Sequence, residues 1–153
     1  MAQIYDRVAL IGLGLIASSL AYAMRRDALA GDIIGTARTN ETREIAREIG
    51  ICDRITETAA EAVKDADLVI LCVPIGVMGR VAEEIAPHLK TGAVLSDVGS
   101  TKRAVIDAVA PHVPEGVHFI PAHPMAGTEQ SGPRSGFAEL FENRWCLMTP
   151  MGA

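Results

Sequence analysis

The sequence predicts an α/β protein with a doubly wound, mostly parallel β-sheet and helices on both faces. Predicted strands alternate with predicted helices along the whole chain, as right-handed crossovers between parallel strands require. The run 66–74 is apolar except for Asp67 and contains several β-branched residues, which is typical of a strand buried on both faces. A glycine-rich turn, Gly12-Leu-Gly14, joins the first strand to the first helix.

The first half of the chain contains three predicted strands and three predicted helices. A strand at 8–11 leads into a helix over 16–24, which we expect to end at the polar residues 25–27 and to be closed by Gly31. After a strand at 32–37, Thr39 or Asn40 is positioned to cap a helix over 41–48 that stops at Gly50. A weaker helical pattern covers 56–64, and Pro74 ends the buried strand 66–74.

The second half repeats this alternation. A helix over 77–89, with apolar residues on one face, precedes a strand at 93–98 and a helix over 101–110. Strands at 117–121 and 145–149 complete the pattern. No repeat or linker interrupts the chain, so we expect one domain over residues 1–153.

Composition restricts the possible partners. The 153 residues are 49% hydrophobic and carry 14 basic and 19 acidic side chains, for a net charge of −5, which leaves no cationic surface for nucleic acid. We therefore expect small molecules or another copy of the chain as partners. The uncharged run 8–24 is shorter than the roughly 20 apolar residues of a membrane helix and contains two glycines, so no membrane span is predicted.

The three cysteines are odd in number and far apart. Cys52, Cys72 and Cys146 lack metal-ligand spacing, so they predict buried thiols in a reducing, cytoplasmic compartment and no metal site.

The turn after the first strand has the G-x-G-x-x-A pattern of a Rossmann dinucleotide-binding loop. Gly12 allows a sharp turn, Gly14 allows the backbone to approach a pyrophosphate, and Ala17 allows close packing of helix on strand. The first N–H groups of the helix then face the phosphates. The expected cofactor loop comprises Gly12, Leu13, Gly14, Leu15 and Ile16. A tight turn that merely packs is the alternative.

In such a sheet, ligands bind beyond the carboxyl ends of the strands. This rule places 12–16, 37–39, 73–75, 97–101 and 122–127 around one cleft. Arg38, Thr39, Val73 and Pro74 are thus further candidate cofactor contacts.

The last two segments are the richest in polar chemistry. His123 follows a strand, where a base that takes a proton from an alcohol would lie; a histidine hydrogen-bonded in a loop is the alternative. Ser100 either caps the next helix or reaches the substrate, and the two roles are compatible. The other histidines, at 88, 112 and 118, are expected to be structural or solvated.

Four motifs carry a resemblance to a known family. They are Gly12-Leu-Gly-Leu-Ile-Ala17, Leu71-Cys-Val-Pro74, Asp97-Val-Gly-Ser-Thr-Lys102 and His123-Pro-Met-Ala-Gly-Thr-Glu129. In this order and at these intervals, the chain resembles the NAD(P)-binding half of the prephenate/arogenate (cyclohexadienyl) dehydrogenases of tyrosine biosynthesis. The similarity covers essentially all 153 residues.

The resemblance implies an oxidative decarboxylation. It assigns to His123 the acceptance of the ring hydroxyl proton, with Ser100 assisting, while hydride passes to NAD or NADP and loss of the carboxylate makes the ring aromatic. Thr128 and Glu129 fall on family positions that line the substrate pocket. Prephenate and arogenate both remain open as substrates.

Two features depart from the family pattern. Ala37 stands where NAD-specific members have an acid for the ribose hydroxyls, and the neighbouring Arg38 either pairs with a 2′-phosphate or is solvated, so NAD and NADP both remain possible. The resemblance also implies a helical domain, absent from residues 1–153, that forms a homodimer and supplies an arginine for the substrate carboxylates. Lys102, Arg134 and Arg144 are possible substitutes for that positive charge.

Two other functions stay open. A non-catalytic NAD(P)-binding or sensing module would share the glycine loop but has no need of His123 with Ser100. Another Rossmann oxidoreductase, such as a hydroxy-acid dehydrogenase, is disfavoured because no lysine follows the later strands in the arrangement that such an enzyme uses.

Overall fold

The computed structural model describes residues 2–152, so Met1 and Ala153, the ends of the predicted domain, lie outside the described residues. The strands are β1 (Tyr5–Ile11), β2 (Ala30–Thr36), β3 (Arg54–Thr56), β4 (Leu68–Leu71), β5 (Val94–Asp97), β6 (His118–Ile120), β7 (Ala122–Pro124) and β8 (Cys146–Met148). The α-helices are α1 (Leu15–Arg26), α2 (Asn40–Ile49), α3 (Ala59–Val63), α4 (Ile75–Ile85) and α5 (Lys102–Val109). Short 3₁₀ helices cover Ala86–His88, Ala110–His112, Pro133–Ser135 and Ala138–Phe141.

Six strands form one parallel sheet in the order β3-β2-β1-β4-β5-β6. The chain moves outward from β1 to β3, returns to the other side of β1 at β4, and moves outward again. This reversal between β1 and β4 opens a crevice at the carboxyl ends of the two strands, where doubly wound sheets bind ligands. The predicted doubly wound parallel sheet is confirmed.

Alternate residues of β1 supply the two halves of the core. Val8 and Leu10 pack against α1 and α2 on one face, while Ala9 and Ile11 pack against α3, α4 and α5 on the other. All four are at most 2% exposed. Because both faces are covered, this central strand is apolar at every position from 8 to 11, which is why it is visible in the sequence.

The connection from β2 to α2 follows the prediction. Thr39 caps α2 by accepting a hydrogen bond from the Thr42 N–H on its Oγ1, and Gly50 ends the helix in the left-handed conformation with φ +67°. The first helix ends within the polar residues 25–27 as predicted, but its predicted closure by Gly31 is wrong. α1 stops at Arg26, and Gly31 lies inside β2, where a Cβ would come within 2.8 Å of the Asp6 carbonyl oxygen. That glycine permits close approach of the chains rather than a helix end.

The helix predicted over 56–64 is shorter than expected. Thr58 and Glu61 form a capping box, which fixes the start of α3 at Ala59. The preceding residues, Arg54–Thr56, form the edge strand β3, which is absent from the prediction because three residues are too few to show a period.

The last strand does not join the main sheet. β8 pairs antiparallel with β7, a strand absent from the prediction, in a separate two-stranded sheet. The Thr149 N–H donates to the Pro121 carbonyl oxygen and the Met125 N–H donates to the Trp145 carbonyl oxygen. The chain therefore leaves the parallel sheet at Pro121, two residues before the candidate base.

One of the three cysteine predictions is wrong. Cys52 and Cys72 are partly buried, but Cys146 is exposed on β8. Burial raises the pKa of Cys52 and of Cys72 to about 12, with the nearby Asp97 carboxylate adding to the effect on Cys72.

The helices formed by residues 2–152 include none that is both long enough and apolar enough to cross a bilayer.

Candidate functional site

A cavity of about 310 Å³ opens at the carboxyl ends of β1 and β2 and is closed on one side by α4. Its walls come from the ends of these strands, from the segment before α3 and from one face of α4. They are formed by Ile11, Gly12, Thr36, Ala37, Arg38, Glu57, Ala59, Val73, Val77, Arg80, Val81 and Glu84. The cavity thus brings together residues from three of the five segments that were expected around one cleft, namely 12–16, 37–39 and 73–75.

The two loop glycines meet different surroundings. Gly12 has φ +96°, and a Cβ there would lie 2.8 Å from the Cys72 carbonyl oxygen, so this glycine is required by the turn itself. A Cβ on Gly14 would meet no atom within 4 Å. The protein itself gives no steric reason for glycine at position 14, and the open space is what a ligand close to the backbone needs.

The amino end of α1 has no side-chain cap. Gly14 is the N-cap and offers no side chain, and the first turn contains no acidic residue. Leu13 and Leu15, two of the predicted cofactor residues, have buried side chains, so only their backbone groups can face a ligand, while Ile16 is half-buried. Since the first N–H groups of a helix have no partner within it, this end fits a pyrophosphate.

The β2–α2 connection forms the far wall of the cavity. Ala37 is 8% exposed, whereas Arg38 is exposed at the cavity rim. The Arg43 guanidinium donates from Nη1 to the carbonyl oxygens of Ala37, at 2.7 Å, and Arg38, at 3.2 Å, which fixes this turn. Thr39, a predicted cofactor contact, lies outside the cavity lining, and its hydroxyl serves as the α2 cap.

The start of α4 forms the opposite wall. Val73 lines the cavity as predicted, but Pro74 is exposed at the N-cap of α4 and is not part of the lining. Glu57 was not among the predicted residues, and neither were four lining residues on α4, namely Val77, Arg80, Val81 and Glu84. Their spacing along α4 could have revealed them, because residues three and four apart share one helix face and this helix begins at a strand end.

A second cluster lies beyond β5 and β6, around the buried carboxylate of Asp97. Its Oδ2 accepts hydrogen bonds from the Gly99 N–H, at 2.7 Å, and from Lys102 Nζ. Its Oδ1 accepts one from the Ala122 N–H at 3.2 Å. Gly99 also adjoins α4, since a Cβ there would lie 3.2 Å from the Ile75 side chain. The last two predicted segments therefore meet at Asp97, next to the helix that bounds the cavity.

The candidate base, His123, occupies the middle of β7 and pairs with Leu147 of β8. The residue is half-buried, and its imidazole makes no hydrogen bond to any other residue between 2 and 152. Ser100 is exposed, and the N-cap of α5 is Thr101, without a side-chain cap bond. The predicted capping role of Ser100 is therefore wrong, which leaves its hydroxyl available to a ligand.

The remaining predicted substrate residues, Thr128 and Glu129, lie on an exposed loop. Thr128 Oγ1 accepts a hydrogen bond from the Gln130 N–H at 3.1 Å. Beyond this loop the chain returns across α1. The Phe137 N–H donates to Ser19 Oγ at 3.1 Å, and a Cβ on Gly136 would overlap the Ser18 Cβ, so this segment lies directly on the helix of the glycine loop.

The three cations considered as partners for substrate carboxylates differ in their surroundings. Lys102 is paired with Asp97, and Arg134 with Glu48 at 2.6 Å. Arg144 is exposed and forms no ion pair with any residue in 2–152. Over the same residues, no group of three or more His, Cys, Asp or Glu side chains is arranged to hold a metal ion.

Comparison with known proteins gives consistent matches. The family model "prephenate dehydrogenase, nucleotide-binding domain" matches residues 20–153. The chain is 40% identical over 149 residues to the cyclohexadienyl dehydrogenase of Zymomonas mobilis, covering 96% of this chain and 50% of that protein.

Solved structures agree with this. A crystal structure of prephenate dehydrogenase from A. aeolicus, in complex with hydroxyphenyl propionate and NAD+, has a TM-score of 0.86 and 27% identity, over 95% of this chain and 51% of that one. For Synechocystis arogenate dehydrogenase the TM-score is 0.85 and the identity 32%, over 95% and 50% of the two chains. This chain thus spans about half the length of the relatives that it matches.

Proposed function

The chain belongs to the prephenate dehydrogenase family, through that family's nucleotide-binding domain, and on this premise we propose that it binds NAD or NADP for the oxidative decarboxylation of prephenate or arogenate. The observation that carries the nucleotide part is the bare amino end of α1 beside the cavity, with open space in place of a side chain at Gly14. Phosphate oxygens there would accept hydrogen bonds from the first N–H groups of the helix, which have no partner within it.

The nucleotide would be held by the glycine loop, of which Gly12 lines the cavity, and by two further parts of the cavity wall. The backbone of residues 12–16 would bind the pyrophosphate, Val73 and Val77 would contact apolar surface, and Arg38 would lie at the ribose end. Position 37 is an alanine, so it provides no carboxylate to bind the ribose hydroxyls. The neighbouring Arg38 has five N–H donors that could bind a 2′-phosphate. These features support acceptance of NADP beside NAD.

The chemistry on the protein side is proton removal at a ring hydroxyl. The bound nicotinamide would supply the hydride acceptor. His123 would take the hydroxyl proton on an imidazole nitrogen, and Ser100, Thr128 and Glu129 would orient the substrate from the neighbouring loops. The imidazole is suited to this because it is half-buried and makes no bond with residues 2–152 that would have to break first. Release of carbon dioxide then leaves an aromatic ring, which makes the reaction strongly downhill.

The proposed substrates carry two carboxylates, whereas this chain has a net charge of −5. Lys102 and Arg134 are already paired with acids, so of the three candidate cations Arg144, which forms no ion pair with residues 2–152, is the one available, and a single arginine matches only one of the two carboxylates. We propose that the remaining positive charge comes from outside residues 1–153, in the part of the relatives that this chain does not match, and that dimerisation also belongs to that part. The cytoplasmic location stays a prediction.

The test is substitution of the base in an active enzyme. We would join this chain to the remaining half of the Z. mobilis cyclohexadienyl dehydrogenase and measure prephenate- and arogenate-dependent NAD(P)H formation. His123→Asn keeps approximate side-chain shape without the proton acceptor, so turnover should fall by about 10²–10⁴-fold with little change in nucleotide affinity. The fall in wild-type activity on the acidic side, where the imidazole takes up a proton, should vanish in the variant.

The matched control is His118→Asn, on the exposed first residue of β6. It should leave turnover and the pH profile unchanged. If His123→Asn keeps near-normal turnover and the same acidic limb, another group is the base; if the wild-type fusion binds nucleotide but oxidises neither substrate, the chain is a binding module.

A further inference from the structure

The buried ion pair of Asp97 and Lys102 lies between the loops that carry Ser100 and His123. Asp97 is 1% exposed, and its carboxylate has separate bonds to the two loops. Oδ2 accepts the N–H of Gly99, the residue before Ser100, and Oδ1 accepts the N–H of Ala122, the residue before His123. One carboxylate therefore sets the distance between two backbone segments that are far apart in sequence.

Lys102 completes the attachment. Its Nζ bonds to Asp97 and donates a second hydrogen bond to the Ala122 carbonyl oxygen at 2.6 Å. The N–H and the C=O of Ala122 belong to the two planar peptide units on either side of its Cα, so binding both fixes the direction in which the chain enters His123. On its other edge β7 is bonded to β8.

We propose that Asp97 and Lys102 are positioning residues that hold His123 and Ser100 in register for the proton transfer; the catalytic part of this proposal rests on the proposed function. A buried ion pair is a poor device for stability alone, because apolar residues of similar volume often stabilise a core equally well. Here three of its four hydrogen bonds end on the backbone of the two loops, and the fourth joins the pair. Its arrangement therefore serves placement.

The chain contains a matched pair for comparison. Asp67 pairs with Lys90, and its Oδ2 accepts a backbone hydrogen bond from the Arg7 N–H at 2.8 Å. These bonds hold the pKa of Asp67 below its usual range. This second pair also consists of an aspartate and a lysine and also binds backbone. It lies at the amino ends of β4 and β5, whereas both loops lie beyond the carboxyl ends of the strands.

The experiment compares Lys102→Met, the double variant Asp97→Asn/Lys102→Met and the control Lys90→Met. Nuclear magnetic resonance of the ¹⁵N-labelled chain would give amide exchange rates for Gly99 and Ala122 and the signals of the His123 ring. Lys102→Met leaves a buried carboxylate without its cation, so this variant is the one at risk of not folding. The double variant removes both charges, and asparagine has one oxygen where Asp97 uses two, so at least one of the two amides loses its acceptor.

In the double variant we expect at least tenfold faster exchange at Gly99 or Ala122 and altered His123 ring signals, with wild-type exchange in β1. Lys90→Met should leave all of these unchanged. In the fused dehydrogenase, kcat should fall at least tenfold, with nucleotide affinity unchanged and an acidic limb displaced from that of the wild type. A merely structural pair would not displace that limb.

The proposal is overturned if the double variant keeps wild-type exchange at both amides and wild-type His123 signals, or if kcat is unchanged despite altered signals. The positioning role of Asp97 and Lys102 can be tested separately from the assignment of His123 as the base. Should the double variant lower kcat while His123→Asn does not, the pair positions a catalytic group other than His123, and the proposed role of that histidine fails alone.

Discussion

At the scale of single residues, Gly12 and Gly14 show that one sequence motif can have two physical causes. Gly12 is required by its left-handed backbone and by the Cys72 carbonyl oxygen, both of which belong to the protein. Gly14 has φ −108° and ψ −157°, an extended conformation open to any residue, and free space at its Cβ position. Substitutions at the two sites should therefore affect different properties.

We predict that Gly14→Val lowers NAD(P) affinity at least tenfold, because its side chain would fill the space beside the α1 amino end. The free energy of unfolding should change by no more than about 1 kcal/mol. Gly12→Ala is the comparison: it should destabilise the fold by about 1–3 kcal/mol, since it combines φ +96° with a Cβ 2.8 Å from backbone oxygen. Calorimetric titration and urea unfolding measure the two quantities. Unchanged affinity in Gly14→Val would remove the glycine loop from the cofactor site.

The sequence predicts residues of the candidate site where the chemical type of a residue or its position at a strand end is sufficient. Gly12, Arg38 and Val73 lie in the cavity lining, and His123 and Ser100 lie on two loops joined by Asp97. It did not identify Arg80 or Glu57, because a charged residue on a surface helix or turn looks the same in sequence whether it faces solvent or a cavity. Nor did it show that Lys102 is bound to Asp97, since an ion pair five residues apart depends on the turn between them.

At the scale of elements, the β2–α2 connection is the part of the cavity most open to redesign. Arg43 and the Thr39 cap hold its backbone, so the exposed side chain at its centre can vary without loss of the turn. At Arg38, cofactor preference can therefore change separately from stability, whereas Ala37 is 8% exposed and packs in the core as well as lining the cavity.

We predict that Ala37→Asp shifts the ratio of affinities toward NAD by about 1–2 kcal/mol, which is roughly five- to thirtyfold. The new carboxylate would accept a ribose hydroxyl and repel a 2′-phosphate. Ala104→Asp, which adds the same charge on an exposed position of α5 outside the cavity, should leave the ratio unchanged. Titration of both variants with each nucleotide measures the shift. An unaltered ratio for Ala37→Asp would mean that neither Ala37 nor Arg38 is close to the ribose.

Elements buried on both faces were predictable, and short ones were not. β4 is apolar throughout and β1 is apolar from Val8 to Ile11, while α2 begins and ends at residues with cap chemistry, Thr39 and Gly50. β3 and β7 have three residues each and owe their conformation to partners elsewhere in the chain, Gly35 and Leu147 among them. Local sequence carries no record of such pairing.

At the scale of the whole molecule, the thiols distinguish the folded chain from the unfolded one. Cys146 is exposed, while burial raises the pKa of Cys52 and Cys72 from an ordinary value near 9 to about 12. Because the thiolate is the reactive form, this shift lowers the reactive fraction by on the order of 10³-fold at pH 8.

We predict that a thiol reagent at pH 8 labels Cys146 rapidly in the native chain and labels Cys52 and Cys72 at full rate only in urea. A second consequence concerns alkaline pH. Above about pH 9 the two thiols ionise in the unfolded chain but not in the folded one, so the free energy of unfolding should decrease as pH rises toward 12. Mass spectrometry of the labelled peptides and melting curves between pH 8 and 10.5 measure these effects. Rapid native labelling at Cys72, or stability that is flat with pH, would contradict the prediction.

The strand order β3-β2-β1-β4-β5-β6 has a consequence for how such a protein can change over time. The glycine loop and the turn at Ala37 and Arg38 come from the first quarter of the chain, whereas Ser100 and His123 come from its second half. The reversal at β1 and β4 brings these regions to one edge without interleaving their sequences. An ancestor could therefore exchange one nucleotide for another through mutations outside the loops of Ser100 and His123, and recombination between α4 and β5, beyond all the cavity-lining residues, would inherit each set of residues intact.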